Sequence, residues 1–220
     1  MVKFLLEHGA NTNVLNHDNE TPLMIAWRKG YENIVLHLIE HGTDVNITNK
    51  NGNTALMTAC RYGYENIVKI LIDSGATIND FLLFIACEKG YENIVKILLE
   101  HAADVNIKNR NSETPLMFAS EKGYENIVMF LIEFGANIYD KNKYNYTSLI
   151  KACEHGHENI VELLIEQGAD INEKNNNDET PLMLACKNGH SKVIRYLITK
   201  RNATIDQKTI NAFKKSKHLL

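Results

Sequence analysis

The sequence is poor in the features that most functional classes require. Its 220 residues include only three prolines, one tryptophan and four cysteines. The longest uninterrupted apolar run, Phe81 to Cys87, is far below the roughly 18–20 residues of a membrane-spanning helix. Met1–Leu6 is too short for the apolar core of a signal peptide. The expected location is therefore cytoplasmic, with nuclear residence also compatible, and no membrane contact is expected. Neither charge dominates: 24 Lys and Arg stand against 27 Asp and Glu, a formal net charge of -3. No general attraction to nucleic acid follows from that balance. The short basic run Lys214-Lys215-Ser216-Lys217 reads as the solvated face of a terminal helix.

Catalytic signatures are missing too. There is no P-loop, no GxGxxG after a strand, no HExxH and no GxSxG. The expectation is a protein that is not an enzyme, with no catalytic residues and no cofactor. Cys153-Glu154-His155-Gly156-His157 puts three potential ligands in five residues, but the spacing fits no established zinc pattern. No metal site is assigned to it.

What the chain does have is repetition. GYENIV occurs at 30–35, 63–68, 90–95 and 123–128, and GHENIV follows at 156–161. The starting glycines Gly30, Gly63, Gly90, Gly123, Gly156 and the related Gly189 are separated by 33, 27, 33, 33 and 33 residues. Within residues 21–53, Leu23 and Ala26, then Ile34, Val35, Leu38 and Ile39, recur at helical spacing and predict two short amphipathic helices. Thr21 suits an N-cap and Pro22 the first helical position, where a missing N–H costs nothing. Gly30 ends the first helix. Glu32 places a carboxylate in the first turn of the second, where the dipole is positive, and Gly42 supplies a left-handed stop. An extended stretch and an Asn51-Gly52 turn then form a projecting finger. Neither helix can bury its face alone, so the units must stack.

Cys60, Cys87, Cys153 and Cys186 occupy one register, which Trp27 and Ser120 fill in the other copies. Equivalent positions on stacked helices lie about 8–10 Å apart, whereas a disulfide needs Cα atoms within about 7 Å. Free thiols in a reducing compartment are expected. Trp27 is expected to fill space near the N-terminal unit.

At this point the sequence resembles the ankyrin repeat family. The resemblance rests on Thr-Pro-Leu at 21–23, 114–116 and 180–182, on the alanines 26, 59, 86, 119, 152 and 185, and on the closing GTDVN, GANIY and GADIN segments. It implies an all-α ankyrin-repeat solenoid of antiparallel helix pairs with projecting β-hairpin-like fingers, about six repeats plus partial terminal units. One domain over 1–220 is expected: a partial N-terminal repeat at 1–16, repeats at 17–49, 50–79, 80–109, 110–142, 143–175 and 176–206, and a polar C-terminal capping helix at 207–220. The chain departs from the family where Met24, Met57, Met117, Ile150 and Met183 replace its usual histidine, trading a polar network for adaptable apolar packing. Ala102 replaces a glycine at a left-handed position, a strain on the order of 1 kcal/mol. Between Gly75 and Ala86 a finger is lost, leaving Asp80 as the expected N-cap of the next helix. Met1 starts half way through a unit, which suggests a fragment of a longer protein, an internal start, or a face covered by something else.

The resemblance further implies recognition of a protein partner through finger tips and first helices lining a concave surface. Here those positions are Arg28, Lys29, Lys50, Asn51, Arg61 and Tyr62, then Glu88 and Lys89. They continue through Arg110, Glu113, Glu121 and Lys122 to Lys143, Tyr144, Tyr146, Glu154 and His155. Arg28, Arg61, Tyr62, Arg110, Tyr144 and Tyr146 are the expected anchors, since binding energy concentrates in arginine and aromatic side chains. The expected function is a non-catalytic, monomeric protein-interaction module, an adaptor or scaffold; the alternative is a regulatory or substrate-recruiting region of a larger multidomain protein or enzyme.

Overall fold

The computed structural model describes residues 1–79, 81–201 and 203–217, with side chains described through 199 and again over 203–214. Among these residues there are fourteen helices and no strand. Two compact units divide the chain, Met1–Ala103 and Asp104–Leu220.

In the first unit, α2 (Pro22–Arg28), α4 (Ala55–Tyr62) and α6 (Phe81–Lys89) form an inner row. Behind it run α1 (Val2–Glu7), α3 (Glu32–Glu40), α5 (Glu65–Asp73) and α7 (Glu92–Glu100). Each inner helix packs on the outer helix that follows it and on its neighbours in the row. The second unit repeats this plan. Its inner row is α8 (Pro115–Lys122), α10 (Ser148–His155), α12 (Pro181–Lys187) and α14 (Gln207–Lys217), with α9 (Glu125–Glu133), α11 (Glu158–Glu166) and α13 (Ser191–Arg201) outside.

Local chemistry sets the helix limits. The hydroxyls of Thr21, Thr54, Thr114, Thr147 and Thr180 accept the N–H of the residue three on, at 3.2–3.3 Å, satisfying one of the amides left open in a first turn. Gly63, Gly123 and Gly156 close inner helices at φ 77°, 78° and 80°, a left-handed conformation that disfavours a Cβ. Outer helices open with Glu32, Glu65, Glu92, Glu125 and Glu158 in their first turn. His8, His41 and His101 sit at helix ends, where each Nδ1 donates to the carbonyl four residues earlier at 2.7–2.8 Å.

Leu23, Leu56, Leu83, Leu116, Leu149 and Leu182 are buried on the inner helices, and Val35, Val68, Val95, Val128, Val161 and Val193 on the outer ones. The four cysteines are free and buried. Burial pushes the Cys60 thiol up to about 12 and Cys186 to about 11, and raises Cys87 and Cys153 further. Met24, Met117, Ile150 and Met183 are buried, as the apolar substitution requires, while Met57 is half-buried. Trp27 packs forward, its ring 6.1 Å from that of Tyr62, so it belongs to the junction with α4 as much as to the N-terminal unit.

The strain anticipated at Ala102 is present, with φ at 63°. The N-cap expected of Asp80 lies outside the described residues. The corresponding role on α14 is taken by Asp206, whose carboxylate accepts from both the N–H and the hydroxyl of Thr209. That helix is less polar outside than expected of a cap, since Ile210 and Phe213 are exposed.

Candidate functional site

Five fingers share one construction. The N–H of Asn16, Asn49, Asn109, Asn142 and Asn175 donates to the carbonyl four residues on at 3.0–3.1 Å. The Oδ1 of the same asparagine accepts the amides two and four residues ahead. Each finger is therefore a closed loop around one asparagine, with the residue before its last in the left-handed region: Asn19, Gly52, Ser112, Asn145 and Asp178. Single backbone bonds tie neighbouring tips, Lys50 to Asp18, Lys143 to Asn111 and Asn176 to Tyr144. The side chains of Lys50, Asn51, Arg110, Lys143 and Tyr144 stand exposed on these anchored tips.

The base of each finger meets the end of the helix that follows. Glu20 pairs with Arg28, and eight residues apart again Glu179 pairs with Lys187. In the third such place both partners are acids, Glu113 and Glu121. The next helix resolves the conflict: Lys151 on α10 reaches Glu121 at 2.7 Å and Glu113 at 3.8 Å, with its ammonium 5.2 Å from the Tyr146 ring centre. Its side chain is only 15% exposed. Burial raises the Glu121 carboxyl, but the hydrogen bond and charge of Lys151 outweigh it and the pKa ends below the ordinary carboxylate value. For Lys151 burial acts downward, and the bond to Glu121 with the charges of Glu121, Glu113 and Glu154 carries the pKa above the ordinary lysine value.

Beside this network lies an open depression of about 590 Å³ lined by Glu121, Lys151, Glu154, His155, Asn188 and His190. Two of its walls are fixed by cross-repeat bonds. His190 Nε2 and Asn188 Nδ2 both donate to the carbonyl of Glu154, at 2.8 Å each. His157 makes the equivalent bond to the carbonyl of Glu121 at 2.9 Å, with its ring over Gly123. His155 donates Nδ1 to the Lys151 carbonyl at 3.0 Å and lies 6.2 Å from His157 in near-parallel stacking. Cys153 is wholly buried, facing away from this chemistry. Repeat register thus places every member of the Cys-Glu-His-Gly-His segment, and no metal-ligating cluster occurs among the described residues.

The two finger tyrosines, both expected as anchors, differ. Tyr144 is 58% exposed, whereas Tyr146 is half-buried against Lys151. Burial and the Glu154 charge raise its hydroxyl pKa. Glu113, Glu121 and Glu154 are likewise only half-exposed, so they form the floor of the face; Lys122 and His155 are exposed on its edge. In the first unit Arg28, Lys29, Arg61, Tyr62, Glu88 and Lys89 are all exposed at inner-helix ends. Arg28 is engaged by Glu20, and Lys89 lies 3.9 Å from Glu88. Tyr62 is 55% exposed and stacks on Tyr64 at 6.1 Å.

Sequence reasoning missed Lys151, Asn188 and His190. Lys151 was detectable by register, because the same position holds Ile25, Thr58, Ile85, Phe118 and Leu184 elsewhere. His190 stands where His157 does, and Asn188 where His155 does.

No helix among the described residues is long and apolar enough to cross a membrane. No curated protein matches the chain. The family description "Ankyrin repeats (3 copies)" matches residues 1–82, 83–175 and 136–209. Together with the stacked helix pairs, capped by threonine and joined by asparagine-centred fingers, those matches make the chain a member of the ankyrin repeat family.

Proposed function

We propose that the chain is a non-catalytic protein-interaction module, an adaptor or scaffold working in the cytoplasm, which holds a protein partner on its finger tips and inner-helix ends. Ankyrin repeats are in general modules of protein–protein interaction. One observation carries the finer reading: most letters that repeat are occupied with the fold, and a set of those that vary is exposed at the finger tips and inner-helix ends. The repeated Leu, Ala and Val letters fill the core, and the repeated Thr, Gly and Asn letters make caps and stitches. Arg61, Tyr62, Arg110, Lys143 and Tyr144 vary between repeats and are exposed, the finger of Lys143 and Tyr144 being tied to the fingers on both its sides and that of Arg110 to the one that follows. Side chains presented on rigid elements lose little entropy on binding. The same face would serve a regulatory or recruiting region of a larger protein.

The test is affinity capture from cell extract with quantitative mass spectrometry. A specific partner should be captured about tenfold less by Tyr144→Ala, a change of ~1.4 kcal/mol, and equally by Lys69→Ala, an exposed residue of outer helix α5. Equal loss or equal retention in both variants would place the binding surface elsewhere.

A further inference from the structure

We infer that the depression beside Lys151 is a guanidinium site, so that the partner presents an arginine side chain there. The inference rests on the protein-partner reading above and names the chemistry of one contact within it. Every described cation around the depression is already engaged: Lys151 by Glu121 and Glu113, Lys187 by Glu179, and Lys122 by Glu121 at 3.5 Å. The carboxylate of Glu154 alone has no hydrogen bond or ion pair among the described residues, although it lines the depression. Its charge reaches Tyr146 and Lys151 through space. The missing counterpart is therefore a cation, and an anion would meet Glu113, Glu121 and Glu154 together.

Geometry selects among cations. Asn188 and His190 clamp the Glu154 main chain through its carbonyl, so the carboxylate starts from a fixed backbone. Next to it His155 presents an exposed flat ring, locked by its bond to Lys151 O and by stacking on His157. A planar guanidinium can lay one face on that ring while its fork donates to the carboxylate; an ammonium can satisfy only the charge. Since Glu154 is unpaired in the free protein, no existing ion pair has to be broken on binding.

The experiment uses the full chain and a defined probe. N-acetyl-Ala-Arg-Ala-amide is titrated at low salt while the amide and side-chain NMR signals of Glu154, His155 and Asn188 are followed. Saturable shifts centred on these residues are expected, with about tenfold weaker binding to Glu154→Gln and clearly weaker binding of N-acetyl-Ala-Lys-Ala-amide. A melting curve identical to wild type shows that the variant, whose amide replaces a carboxylate without partners, is folded. Absence of saturable shifts at these residues overturns the inference, as does equal binding by Glu154→Gln or by the lysine peptide. Such a result would leave the capture experiment with Tyr144→Ala untouched, so failure of the arginine site and failure of the interaction module are distinguishable.

Discussion

Replacing Lys151 by methionine keeps the aliphatic stem and removes the charge that holds Glu121 and Glu113 together. Hydrogen bonds to charged groups contribute about 1.5–3 kcal/mol, and the ammonium–Tyr146 contact about 0.5–1 kcal/mol at a partly exposed site. Solvent reaches both ends of the pair, with 15% and 24% of the two side chains exposed, so about 2 kcal/mol is expected at neutral pH. The pH dependence gives the sharper test. In the wild type the Glu121 pKa is lowered, so its contribution is present above the unfolded carboxylate value, about 4.3, and is lost as pH falls through the lower folded value. The raised Lys151 pKa contributes below the ordinary lysine value and is lost on the alkaline side, as pH rises through the folded value. In Lys151→Met, burial and the neighbouring Glu113 and Glu154 push the Glu121 pKa upward, with Lys122 and His155 opposing. Its contribution then reverses sign and favours acid. Urea unfolding of both proteins from pH 4 to 8 should give a stability difference of about 2 kcal/mol at pH 7 that shrinks towards pH 4. A difference that stays constant across that range would refute the ion-pair account and leave only a packing effect.

Ala102→Gly should stabilise the protein, because relief of about 1–2 kcal/mol of left-handed strain exceeds the roughly 0.4–1 kcal/mol of added unfolded-state entropy; the urea midpoint should rise with unchanged slope. Gly135→Ala, at φ 87° with nothing within 4 Å of the added Cβ, should cost about 1 kcal/mol by the same backbone argument. Gly123→Ala should cost distinctly more, since its Cβ would lie 2.5 Å from His157 Cε1, and in a His157→Ala background the excess should disappear, which a double-mutant cycle of denaturation energies measures. Tyr144→Ala should leave thermal unfolding unchanged, whereas Tyr146→Ala should destabilise by about 1–2 kcal/mol through lost packing and the Lys151 contact; equal melting temperatures would contradict their different burial.

The helices were legible because their signals are local. Thr-Pro at an N-terminus, Gly at a left-handed stop and Leu, Ala and Val at helical spacing act within one turn, and a short segment reveals them. The asparagines were harder. Within GYENIV the Gly, Glu and Ile-Val letters have intra-repeat reasons, but Asn has none: Asn93 and Asn159 donate to Glu65 and Glu125 of the preceding repeat at 2.8 Å. Likewise Asn46 accepts from Thr77 N and donates to Gly75 O, and Asn106 does the same with Asn137 and Gly135. These stitches span about thirty residues, and only the period itself hints at them. Tyr146 differs from Tyr144 for a related reason, since its exposure is decided by Lys151 on another element. Composition of a finger does not contain that information.

The site follows from a mismatch within the repeat. Where a finger base and helix end carry opposite charges, as Glu20 with Arg28 and Glu179 with Lys187, the pair neutralises itself and offers a partner little. Where both are acidic, as Glu113 and Glu121, a lysine has to come from the following helix, and it occupies an apolar register to do so. Where the base is a neutral residue, the helix-end charge is left over: Asn53 precedes Arg61 and Tyr146 precedes Glu154, and neither Arg61 nor Glu154 has an ion pair among the described residues. A charge held on a rigid helix end without its partner retains most of its capacity to discriminate, because no internal bond competes with the incoming group. Among the described residues the repeat thus leaves Arg61 in the first unit and Glu154 in the second without an ion pair, and under the proposed interaction function these are where complementary charge on a partner would contribute most. The family pattern alone would have ranked them no higher than their self-paired neighbours.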